Sequence, residues 1–198
     1  MKELEKITIN DLDSVEKEIT ASKVYSEDIV CARELVLRFP KHGNDVIETM
    51  SKIAVIDALN NTQTFRNKSV VSLRKLAFLI NEIKDIDGRL EAGDPSLVSE
   101  IAEIYPGRKL YSFASKYCAI HNQEFYIKDS YAKYDKVVVN NLPRFIKTTK
   151  KSYIHKYDVY IKKIDDVITN NGLCGIPLIR KKVDQYIWWK YRKEKTTT

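Results

Sequence analysis

Two side chains in one short stretch have the types and spacing for covalent chemistry. Lys109 follows Pro106-Gly107-Arg108, a tight turn leading into a helical pattern from about Arg108 to His121. An amine at a helix start lies near the positive end of the dipole, which disfavours its protonation and favours nucleophilic attack. Asp129 lies twenty residues further on, ahead of Ser130-Tyr131-Ala132, and reads as the N-cap of a following helix. Should the two helix starts converge, Lys109 and Asp129 form a nucleophile and an assisting carboxylate. Should they not, the lysine is a solvated charge and the aspartate is a cap. Lys116, beside Ser115, is a competing amine two turns into the helix, where the dipole helps it less.

Other chemistries find less to stand on. The chain has no phosphate-cradling Walker A loop, no GxGxxG and no serine in a nucleophile elbow. Cys118 and His121 form a C-x-x-H pair on one helical face, which is half a zinc site with no second pair to complete it. They read as a buried thiol beside a capping or surface imidazole, so neither a metal nor a cofactor is expected. His42 and His155 stand alone in the sequence.

The elements that must position these residues are helical. Six glycines and five prolines in 198 residues leave little punctuation, and apolar residues recur at three- and four-residue steps. Helix starts are expected at Ser26, Asn44, Ser69 and Asp94-Pro95, with stops at Pro40 and Pro106-Gly107. Further helices are expected from Asp129 or Ser130, from Lys151 to about Ile168, and from Pro177 through Trp188-Trp189. Val137–Val139 is a short strand signal between helical stretches. The fold class is all-α, with eight to ten helices in a single domain over 1–198. Two lobes are conceivable within it, about 44–136 and 1–43 with 137–198. With 43% hydrophobic and 31% charged residues, the composition excludes a disordered tail, a collagen-like chain and a disulfide scaffold.

Between Leu97 and Lys136 the pattern of helix, Pro-Gly turn, lysine, helix and later aspartate resembles the helix-hairpin-helix DNA glycosylase superfamily. The nearest likeness is to its 8-oxoguanine glycosylase branch. The resemblance implies a two-lobed helical fold around a DNA cleft, with the target base flipped from the stack. It implies that Lys109 attacks the sugar C1′, that Asp129 assists, and that Gly107 with Arg108 meets a DNA phosphate. The turn is shorter than the family's usual hairpin, with Gly107-Arg108 alone before Lys109.

Charge points to the same partner. Residues 1–100 carry 14 Lys+Arg against 18 Asp+Glu, while residues 101–198 carry 20 against 9. Lys147, Lys150 and Lys151 head a basic run from Arg144 to Lys163 that holds a single acid, Asp158, and suits a strip of phosphates. Tyr153, Tyr157 and Tyr160 either stack on bases or, by their spacing with Ile161 and Ile164, fill the core. No apolar run is long enough to span a bilayer, and the charged start and three scattered cysteines suit a cytoplasmic protein. The leading expectation is a DNA-binding protein, with base excision as its possible activity. The alternatives are a non-catalytic nucleic-acid-binding module and a protein-interaction adaptor.

Overall fold

Scarce glycine and proline and a helical apolar period build the fold almost entirely from helix. The computed structural model describes residues 3–39, 42, 45–60, 62–65 and 71–193. Among these are ten α-helices, α1 Ile9–Ala21, α2 Lys23–Leu37, α3 Val46–Asn60, α4 Leu73–Asn81, α5 Ile86–Ala92, α6 Pro95–Glu103, α7 Tyr111–Tyr126, α8 Lys136–Asn141, α9 Tyr157–Asn170 and α10 Ile179–Tyr191. Two single turns of 3₁₀ helix, Leu142–Arg144 and Lys150–Ser152, join α8 to α9, and the described residues contain no strand. The start expected at Ser26 lies inside α2, and α4 is capped by Ser72. The caps expected at Asn44 and Ser69 and the stop at Pro40 lie outside the described residues.

Helix α7 forms the centre of the packing. Eleven of its residues, Tyr111 and Phe113 to Asn122, are buried, with α2, α3, α5 and α6 packed around them. The core runs without a break from Ile7 to Tyr191, and Tyr153, Tyr157 and Tyr160 belong to it, each fully buried. The choice between base stacking and core is therefore settled for these three.

Three local expectations fail, two of them through contacts distant in sequence. No helix starts at Asp129 or Ser130, because Ile127 turns the chain with φ 54° and residues 128–135 run as an irregular connector. Side chains from other elements occupy its backbone groups. Ser130 N donates to Asn122 Oδ1 at 2.9 Å, Lys133 N to Asp184 Oδ2 at 3.2 Å and Tyr134 N to Ser115 Oγ at 2.8 Å. The Tyr157 hydroxyl serves Ala132 twice, accepting from its N–H at 3.0 Å and donating to its carbonyl at 2.7 Å. Buried main-chain groups need partners, and here they find them without helix or sheet.

The helix expected from Lys151 begins instead at Tyr157, after the 3₁₀ turn and a reversal at His155, whose φ is 56°. Val137–Val139 is helical, within α8, where the Asp135 side chain accepts from Val137 N at 2.8 Å and caps the start.

Part of the charge asymmetry between the chain halves closes within the fold. Helix α1 packs on α10. Lys182 meets Glu16 at 2.7 Å, Lys190 meets Glu5 at 2.9 Å, and the Trp189 indole donates to Glu18 at 2.6 Å. Glu5 also takes Arg144 at 3.6 Å and a hydrogen bond from the Tyr191 hydroxyl. Burial would raise the Glu5 carboxyl, but hydrogen bonds from Tyr191 and Lys190 outweigh it and hold the group below its ordinary value.

Candidate nucleic-acid interface

The Pro-Gly turn joins α6 to α7, which pack against each other. Asp94 caps α6 by accepting from Ser96 N at 2.8 Å, with Pro95 at the first helical position. At the turn Gly107 takes φ 71°, and a Cβ there would meet nothing within 4 Å. Arg108 N donates to Tyr105 O at 3.2 Å and Leu110 N to Ala102 O at 2.8 Å. Those two amides close the turn itself, which delays α7 to Tyr111 rather than the expected Arg108.

Lys109 projects from this turn, 58% exposed, and its Nζ lies 3.6 Å from Glu103 Oε1. The same carboxylate oxygen accepts from the Tyr111 hydroxyl at 2.9 Å. Burial, helped by that carboxylate, pushes the Tyr111 hydroxyl up to about 12, so it stays a neutral donor. The other side of Tyr111 faces the α8–α9 loop. Its ring lies 5.4 Å from the His155 ring at 19°, an offset stack. His155 N donates to the Tyr134 hydroxyl at 3.1 Å, and the Tyr134 ring packs 5.7 Å from Tyr111. The turn and the loop are thereby clamped together.

That loop carries the basic run. Lys147, Lys150, Lys151 and Lys156 are exposed, and Lys150 donates to Asn140 Oδ1 at 2.6 Å. Among the described residues no carboxylate pairs with Lys147, Lys151 or Lys156, nor with the exposed Arg108. On α10, by contrast, Lys182 and Lys190 are matched by Glu16 and Glu5.

Asp129 lies elsewhere. Its carboxylate accepts from Arg180 N at 2.7 Å and Lys181 N at 3.2 Å, while its carbonyl takes the Arg180 guanidinium at 2.8 Å. It is a cap, as its residue type suggests, but for α10, about fifty residues away. Burial raises this carboxyl, against the pull of those amides. No hydrogen bond or ion pair joins Lys109 to Asp129 among the described residues. Lys116, the competing amine, is buried on Asp135 at 3.3 Å, Asn60 O at 3.1 Å and Ser112 Oγ at 3.3 Å. Nearby, burial pushes the Asp184 carboxyl up and the Lys133 amine down.

His42, which stands alone in the sequence, does not stand alone in space. His42 Nδ1 is 3.0 Å from Asp87 Oδ1, and its Nε2 bonds the Tyr117 hydroxyl. His121 Nδ1 bonds Tyr117 O at 2.7 Å, and its Nε2 is buried without a partner among the described residues. Lys52 joins this cluster at 1% exposure, 5.4 Å from the Phe125 ring, and burial lowers its amine to about 8 against the pull of Asp87 and Glu48. Cys118 is buried on the same helix, and burial raises its thiol. No cluster of three or more His, Cys, Asp or Glu among the described residues is placed to hold a metal, and no described helix is long and apolar enough to cross a membrane. No motif marks this network, because its members come from α3, α5, α7 and the α2–α3 connection.

Comparison with known proteins places the chain in a family. Over 195 residues it is 28% identical to an uncharacterized protein of Haemophilus influenzae, with 92% of each chain covered. No solved structure matches it. The family described as HI_0787_N, N-terminal domain, matches residues 5–125, which hold the whole histidine network and the Pro-Gly turn. By that match, over more than half of its length, the chain belongs to the HI_0787_N family.

Proposed function

We propose that the protein binds nucleic acid, most favourably DNA, through its phosphate backbone on the face formed by the α6–α7 turn and the α8–α9 loop. One observation carries the reading. The stack of Tyr111 on His155 brings the turn bearing Arg108 and Lys109 against the loop bearing Lys147, Lys150, Lys151 and Lys156. We read the cations of these two adjoining stretches as one strip, and several lack an intramolecular carboxylate among the described residues. Such a strip gains free energy by displacing the counterions condensed on phosphates.

Binding of this kind needs no covalent step. Lys109 and Asp129, which the glycosylase resemblance makes catalytic, are engaged with Glu103 and with the α10 N-terminus respectively. The reading is therefore a non-catalytic DNA-binding module. The variant K147A/K151A/K156A removes three exposed amines and leaves the core intact. In a fluorescence anisotropy titration at low salt it should bind a DNA duplex at least about tenfold more weakly than the wild type, regardless of sequence. Equal affinities would overturn the reading.

A further inference from the structure

An exposed imidazole in the loop that carries these lysines has a use beyond charge. His155 is solvent-exposed, yet it is held in place more firmly than a surface side chain needs to be. One ring face lies on the buried Tyr111, the backbone N–H of His155 is tied to the Tyr134 hydroxyl, and its φ of 56° is one that non-glycine residues seldom adopt. Backbone strain of this kind persists only when surrounding contacts over-determine it. The result is a flat ring, supported from beneath, with Lys156 beside it in the chain and Arg108 on the adjoining turn. Glu103 is occupied by Lys109 and Tyr111, and Asp158 is exposed on the first turn of α9.

We infer that His155 is a stacking platform for an unpaired base, so that the face binds single-stranded nucleic acid in preference to intact duplex. The inference rests on the phosphate-binding reading above and adds what that reading lacks, a group that distinguishes strand from duplex. Stacked bases inside a duplex have no free π-face to offer, whereas an unpaired base does. Aromatic and imidazole rings accept any such base, with little dependence on sequence.

Oligo(dT) and a mixed-sequence duplex of equal length, both fluorescently labelled, separate the possibilities by anisotropy titration. Wild-type protein should bind the strand more tightly than the duplex. His155→Ala should weaken strand binding about fivefold or more, corresponding to at least one stacked base, and change duplex binding less than about twofold. His155→Phe, which keeps a flat ring, should hold strand affinity within about twofold of the wild type. Equal losses on strand and duplex, or no loss on either, would overturn the platform while leaving the phosphate reading in place. A wild type that binds neither probe, or K147A/K151A/K156A binding both as the wild type does, would remove the phosphate reading and the platform with it.

Discussion

Replacing Tyr157 by Phe deletes one oxygen atom and keeps the ring, so it isolates the hydroxyl that holds the connector between α7 and α8. That hydroxyl accepts from Ala132 N at 3.0 Å and donates to Ala132 O at 2.7 Å, with both residues at 1% exposure or less. The phenylalanine leaves a buried amide and a buried carbonyl unpaired at the same residue. Each orphaned group costs about 1–3 kcal/mol, and two together about 2–5 kcal/mol. For a chain of this size the melting temperature should fall by roughly 5–15 °C. Tyr153→Phe is the matched control, since it removes the same atom but only one bond, to Val139 O at 2.7 Å. Urea titration and thermal melts followed by circular dichroism give both values. A cost for Tyr157→Phe below about 1 kcal/mol, or no larger than that of Tyr153→Phe, would refute side-chain satisfaction of the connector.

Asp129→Ala removes the cap of α10 and should destabilise the protein by about 1–2 kcal/mol, whereas Lys109→Ala should stay within about 0.5 kcal/mol of the wild type. Chemical denaturation checks both, and similar small effects would argue against the capping role. Burial holds the folded-state pKa of His42 and of His121 below the ordinary value. The unfolded chain therefore binds protons that the native state refuses. The stabilisation from each neutral imidazole is complete above the unfolded pKa of about 6.5 and is lost as pH falls, by about 1.4 kcal/mol per unit per histidine. Between pH 7.5 and 5.5, His121→Gln should lose less stability than the wild type by about that amount, read from urea midpoints. Parallel losses would show that His121 titrates alike in both states.

Local signals carry the helices whose ends are set by near neighbours. Asp94-Pro95 starts α6 where an acidic cap followed by proline should, and the tyrosines of α9 fill the core as their spacing with Ile161 and Ile164 implies. The signal at Asp129 is equally sound in type, but the amides it caps belong to α10, so the cap is readable and its helix is not. The start of α9 is hidden in the same way, because the reversal at His155 depends on the Tyr134 hydroxyl and the Tyr111 ring. Lysine density between Arg144 and Lys163 is plain in the sequence. Which basic residues remain unbalanced is not, since the pairs Lys182–Glu16 and Lys190–Glu5 span most of the chain. His42 looks isolated because Asp87 and Tyr117 approach it only after α5 and α7 pack.

In the proposed reading one clamped face neutralises phosphates with lysines that no carboxylate of the described fold matches. The dependence of duplex affinity on salt tests it most directly, because deleting one phosphate-neutralising side chain flattens the slope of log Kobs against log [salt] by about one. The wild type should show a steep negative slope, and K147A/K151A/K156A a slope shallower by about three. Parallel slopes for the two proteins, or no binding of either duplex or single strand by the wild type at low salt, would contradict it.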